Sequence, residues 1–369
     1  MRQTGCAAGW RQRLKGRVGT LLVGGALGLA ATLAQAQGLS WEAGLRGDAP
    51  DRYTVVRGDT LWDISGRFLQ HPWQWPEVWQ VNPQIENPHL IYPGDVVYLY
   101  DCNGRPCLGL ERGQGMVRLS PEVRTTPHRE AIEPIPLDAV RHFLREHRVI
   151  DDPEALDELA YVVAGDDGRL VSGGGDRLYA RGRVEGGGRF GIYRVGERYV
   201  DSASGEPLGL ELESVGQARR LRQEEDIAVL EVTTSRQEVR NDDIVLPLED
   251  RRLVTEFLPR APDREVEGRI LAVPGGVRFI GRLQVVALDR GRRDGLEAGH
   301  VLMVERRGEL VSDPRTGEAL RLPGEDAGLV MVFRPYEKMS YGLVMQASRT
   351  LSVGDRIHSP QRLLDTALR

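Results

Sequence analysis

The chain has 369 residues, 28% charged and 40% hydrophobic, which excludes a low-complexity or unfolded polymer and sets an expectation of two or three domains. Its formal charge is −5, but residues 1–36 hold Arg2, Arg11, Arg13, Lys15 and Arg17 and no acid, so subtracting those five charges leaves −10 for the rest. A balance that acidic gives no general electrostatic reason to bind nucleic acid.

Residues 1–36 read as a secretory signal: a cationic start, an apolar run from Val18 to Leu33, then Ala34-Gln35-Ala36 in small-x-small form before Gln37. Gly24, Gly25 and Gly28 make the run short and weakly apolar for a membrane anchor, and Cys6 precedes the run instead of following it, against a lipoprotein. The expected destination is the oxidising periplasm. Residues 37–52 are a short linker.

Tyr53-Thr54-Val55-Val56 alternates like a strand, and Gly58 then permits a turn. Asp59 and Thr60 are both helix caps by type, and Asp63 stands three residues after Thr60. Leu61, Ile64, Ser65 and Phe68 share one helical face, which predicts a helix over Leu61–Leu69. Pro76 opens a second helix running to Val81, and Val96-Val97-Tyr98-Leu99 reads as a closing strand. Trp75 and Trp79, four apart, suit a small core better than a stacking platform.

The run "YTVVRGDTLWDIS" … "VWQVNP" … "LIYPGDVVYLY" resembles the LysM module, a peptidoglycan- and chitin-binding βααβ domain, over residues 53–100. The resemblance implies a shallow groove for N-acetylglucosamine-containing glycan. One wall would be Gly58, Asp59, Thr60 and Leu61; the other would be Asn82, Pro83, Gln84 and Ile85. A neutral acetamido sugar calls for backbone donors and acceptors over an apolar floor, and a helix entrance has such N–H groups to offer. Asp59 and Thr60 suit capping roles better than sugar contacts. The stretch "LQHPWQWPE" is longer and richer in tryptophan than the module usually carries between its helices.

Residues 101–135 read as a linker. Cys102 and Cys107 flank the turn-forming Asn103-Gly104-Arg105-Pro106, which predicts a small-loop disulfide; the rival is a zinc half-site, which lacks a second Cys or His pair. Residues 136–183 read as a short αβ segment, with helices near Leu137–Leu144 and Pro153–Leu159 and strands in "AYVVAG" and "DRLYARG".

A shift of 112 then superposes Gly196-Glu197 on Gly308-Glu309, Asp201 on Asp313, Gly205-Glu206 on Gly317-Glu318, Leu208 on Leu320 and Asp243 on Asp355 without gaps. Two related β-barrel-like modules are expected, 184–250 and 296–360, joined by a β connector at 251–295 and followed by a tail at 361–369. The fold class is therefore α+β: a small βααβ module, then a mainly β region.

Catalytic signatures are scarce. The seven histidines form no H-x-H or H-E-x-x-H pair, and no G-x-S-x-G occurs. "GGGRFG" at 186–191 fits G-x-G-x-x-G, but a strand-like segment follows it instead of a helix. No catalytic residue, metal ligand or cofactor is expected; the alternatives are a cell-wall hydrolase of unrecognised type or a scaffold for another envelope machine such as the flagellar ring. The LysM part, joined to "DGLEAGHVLMV", "SYGLVMQAS" and "LSVGDRI", resembles the type IV pilus secretin-associated LysM proteins, whose carboxy-terminal part is related to a flagellar outer-membrane-ring domain. That resemblance implies peptidoglycan on one side, an outer-membrane secretin ring on the other, and a ring of copies compatible with the secretin.

Overall fold

The change from alternation to a 3.6-residue period between residues 52 and 68 is realised as strand β1 (Arg52–Thr54) followed by helix α1 (Leu61–Phe68). The computed structural model describes residues 44–80, 91–101, 106–113, 133–136, 140, 143–144, 147–184, 188–248, 258–276 and 279–360. A 3-10 turn at Pro72–Gln74 leads into α2 (Trp75–Gln80), and β2 (Val96–Asp101) returns antiparallel to β1 with Tyr53 opposite Val97. Leu61, Ile64 and Phe68 meet Trp75, Val78, Ile91 and Val97 in one buried core.

The linker expected at 101–135 is corrected at both ends. Pro106–Glu111 forms β3, a third strand on β2 with Leu99 opposite Leu108. Leu108 fills the same core, and Gly109 leaves room for the Tyr98 ring, which a Cβ there would meet at 2.4 Å. At the far end, Ile135 is fully buried.

The β region holds seventeen further strands. Nine come first: β4 (His147–Ile150), β5 (Ala160–Gly165), β6 (Val171–Ser172), β7 (Arg177–Arg181), β8 (Arg189–Val200), β9 (Pro207–Glu224), β10 (Ile227–Ser235), β11 (Val239–Arg240) and β12 (Ile244–Pro247). Their pairing runs β10-β7-β5-β12-β8-β9, and β10 also bonds β9, so six strands close a ring with β4 added on β9. The second set is β13 (Glu267–Ala272), β14 (Val285–Leu288), β15 (Val301–Arg306), β16 (Leu310–Ser312), β17 (Ala319–Arg321), β18 (Glu325–Pro335), β19 (Ser340–Ala347) and β20 (Arg356–His358). It closes as β13-β14-β19-β18-β15-β20. Laid over one another in chain order, the two rings have the same connectivity.

This moves the boundaries read from the sequence. β5 and β7 lie in the segment read as separate αβ structure, and β13 and β14 in the supposed connector, yet all four are staves of the barrels. They escape the 112-residue match because Ala160 and Glu267, which open β5 and β13, are 107 apart. The helix expected at 153–159 is a 3-10 turn, Pro153–Glu158.

Side chains fill both barrels: Phe190, Ile192, Val215 and Leu230 in the first, and Ile270, Val286, Val304, Val330 and Val344 in the second. A further cluster joins the parts. Trp62 and Trp73 of the LysM-like unit, Ile135, Val140 and Phe143 of the following segment, and Tyr199 and Leu208 of the β8–β9 hairpin all pack with Phe333, Tyr336, Met339, Tyr341 and Met345 outside the second barrel. Burying a tryptophan there accounts for about 3–5 kcal/mol if truncated to alanine. The Asp63–Arg282 ion pair crosses the same joint, but its half-exposed partners contribute no more than about 1 kcal/mol.

A polar seam closes the barrel junction. Glu211 accepts from the Tyr341 hydroxyl at 3.4 Å and lies 2.8 Å from His147 Nδ1, while the Tyr199 and Tyr341 hydroxyls are 3.3 Å apart. Burial, with the nearby Glu211 carboxylate, pushes both tyrosines above their ordinary range. At the edge, Glu206 takes a two-pronged grip from Arg293 at 2.7 and 3.0 Å and an ion pair from Lys338 at 3.2 Å. Those hydrogen bonds lower its carboxyl to about 2. Among the described residues no helix is long and apolar enough to cross a membrane.

Candidate functional site

The corner at Val56–Asp59 is a four-residue turn with Gly58 at φ +95°, a backbone conformation that a side chain would strain. Asp59 Oδ2 accepts from Val56 N at 2.8 Å and from the Tyr53 hydroxyl at 2.9 Å. Burial raises the Tyr53 hydroxyl, and the bond to Asp59 raises it further. Asp59 thus holds the turn. The same device recurs at Asp95, Asp176, Asp243 and Asp355, each accepting from the backbone N–H three residues earlier.

Thr60 is the N-cap of α1. Its Oγ1 accepts from Asp63 N at 3.1 Å and donates to Asp63 Oδ2 at 2.8 Å. Leu61 turns fully into the core. Of the first wall, Gly58 and Asp59 make the turn, Thr60 the cap and Leu61 the floor. The second wall, Asn82, Pro83, Gln84 and Ile85, lies outside the described residues, as does Cys102; Cys107 is buried at the start of β3.

A helix start leaves N–H groups without intrahelical partners. In α1 three of them are accounted for. Asp63 N takes the Thr60 side chain, Leu61 N donates to Glu133 O at 3.0 Å, and Trp62 N donates to Pro134 O at 3.2 Å. Three N–H groups at the helix entrance are therefore engaged by the chain itself. Residues Glu133–Pro136 lie across the mouth of the helix as a strap, pinned by Ile135 between the tryptophans and the second barrel. Sequence reading missed this. The signal was Ile135 between Pro134 and Pro136, an apolar residue on an extended segment that has no face of its own to bury it.

Beside the same corner, a cleft of about 360 Å³ runs between α1 and the second barrel, lined by Asp59, Trp62, Asp63, Arg67, Gln70 and Arg282, among others. Its donors and acceptors suit hydroxyl-rich or acetamido ligands. The tryptophans that tempt a stacking reading are committed elsewhere: Trp75 to the small core, Trp62 and Trp73 to the barrel joint.

Residues 53–99 match the LysM domain family, so this part of the chain is a LysM domain, a class of module that binds N-acetylglucosamine-containing peptidoglycan. An uncharacterised protein of Bacillus subtilis, YqbP, is 41% identical over 56 residues, covering 12% of this chain and 26% of that protein. The chain thus spans about a quarter of that relative's length.

Proposed function

We propose that the chain is a non-enzymatic adaptor of the bacterial periplasm: the LysM domain grips peptidoglycan, and the paired barrels dock an outer-membrane secretin ring of the type IV pilus. The observation that carries the glycan half is the LysM match over residues 53–99, folded as βα-αβ with a Thr60-capped corner. For the adaptor half, support comes from two side-chain-filled barrels of one topology, an architecture that supplies surfaces more readily than a reaction cavity. Export through the leader at residues 1–36 and a Cys102–Cys107 disulfide belong to the same reading.

In this reading, Glu133–Pro136 covers part of the groove, so glycan reaching the α1 donors displaces it. Two measurements test the proposal. Release of soluble fragments from dye-labelled sacculi separates an adaptor, which liberates none, from a wall hydrolase. Crosslinking in cells, followed by identification of the adduct, separates a secretin from a flagellar ring component or another envelope machine. An adduct without any secretin would remove the pilus half of the reading.

A further inference from the structure

The two barrels carry equivalent hairpins in different circumstances. Asp201–Glu206 and Asp313–Glu318 form the same turn: Asp201 N donates to Glu206 O at 2.9 Å and Gly205 N to Asp201 O at 2.8 Å, against 2.7 and 2.8 Å for Asp313–Glu318 and Gly317–Asp313. Each aspartate side chain also accepts from the two following turn amides, Ala203 and Ser204 in one case, Arg315 and Thr316 in the other. Gly205 and Gly317 have φ of +76° and +74°.

The first hairpin is docked. Tyr199 and Leu208 are buried against Tyr336, Met339 and Tyr341 of the second barrel, and Glu206 is clasped by Arg293 and Lys338. Its twin is free. Leu320, the counterpart of Leu208, is 41% exposed; Leu322 beside it is 46% exposed; and the Glu318 carboxylate meets no cation among the described residues. Val311, the counterpart of Tyr199, is half-buried and stands opposite Leu320 in the β16–β17 register, so an apolar face and an acid are presented together.

We propose that the β16–β17 hairpin is a docking finger for another protein, and that its seat is an apolar, aromatic-lined surface flanked by an arginine and a lysine. The molecule displays that complex once already, in the seat that receives its own first hairpin. A second copy does not fit. Its corresponding seat is filled, and the equivalent face of the first barrel carries Glu224, Asp226 and Glu231 where the seat carries Tyr336, Lys338 and Leu343. Those carboxylates already pair with Arg222, Arg181 and Arg219, so that face lacks both the tyrosine and the lysine that Leu320 and Glu318 would need. The inference rests on, and deepens, the protein-docking half of the adaptor reading.

The test places a photoreactive residue at position 322 of the full-length protein in cells, alone and with Glu318→Arg or Leu320→Asp. The proposal expects one adduct with a different protein, reduced at least tenfold by either substitution and restored to Glu318→Arg when a seat cation of the partner is changed to glutamate. Near-ultraviolet circular dichroism and sacculus retention should be unchanged, since these surface positions touch neither the cores nor the LysM corner. No adduct, an adduct with a second copy, or one insensitive to Glu318→Arg would overturn the assignment. If a photoreactive residue at Leu170 or Leu221 on the first barrel captures a protein while position 322 captures none, docking by the β region survives and the finger does not.

Discussion

Replacing Ile135 with alanine should open the strap over the LysM corner and strengthen glycan binding. Ile135 is fully buried among Trp62, Trp73 and the outer face of the second barrel, so truncation costs about 2–5 kcal/mol. What remains to hold the strap is the pair of hydrogen bonds from Leu61 N and Trp62 N, at about 1 kcal/mol each. If strap and glycan compete, the apparent affinity is the intrinsic one scaled by the open fraction. A loss of about 3 kcal/mol from the closed state then raises apparent affinity about a hundredfold, provided the strap is still mostly closed in the variant. Titration calorimetry with a soluble N-acetylglucosamine oligosaccharide measures the affinity, and hydrogen exchange over Leu61–Phe68 reports the opening. Val140→Ala serves as the control: it truncates a buried residue of the same cluster outside the strap, and should lower stability without tightening glycan. Faster exchange at Leu61 and Trp62 with unchanged oligosaccharide affinity would refute the competition.

Three further outcomes are expected. Thiol titration of the denatured, unreduced protein beginning at Gln37 should find no free cysteine, and two after reduction; two before reduction would remove the Cys102–Cys107 pairing. Glu206 should titrate at about 2 by carboxyl NMR, well below its ordinary 4.5. Because its folded value is depressed, the clasp stabilises fully above 4.5 and is lost as pH falls towards 2; Glu206→Gln should flatten the pH dependence of the denaturation midpoint in that window, and an unaltered profile contradicts the clasp. Gly291→Ala should destabilise by about 1–3 kcal/mol in urea, since a Cβ there would lie 2.5 Å from Tyr336 O and 2.6 Å from Glu337 O. These carbonyls accept from Arg292 N and Arg293 N, so the backbone has little freedom to yield.

The LysM corner was legible because its chemistry is local. A glycine with positive φ, an aspartate and a capping threonine specify one turn, and Leu61, Ile64 and Phe68 specify the face beneath it. The repeat was legible because Asp201 and Asp313, or Asp243 and Asp355, serve the same turns, where few residue types will do. β5 and β7 were legible as strands, in "AYVVAG" and "DRLYARG", but the place of β5, β7, β13 and β14 in the barrels was not, since a strand needs only apolar alternation and their spacing departs from 112. Long-range packing was least legible. Trp62 and Trp73 look alike whether they face sugar, solvent or a barrel, and only the fold shows that Tyr341 and Met345 stand in the same cluster. Backbone acceptors leave no residue signature, which is why the carbonyls of Glu133 and Pro134 could not be read at the helix mouth.

Co-sedimentation of the purified protein with intact sacculi reads out the glycan grip itself. The protein should pellet with the wall material and be released into the supernatant by excess soluble N-acetylglucosamine oligosaccharide. Protein that stays in the supernatant, or pellets undiminished in the presence of that competitor, would contradict a glycan grip at the LysM corner.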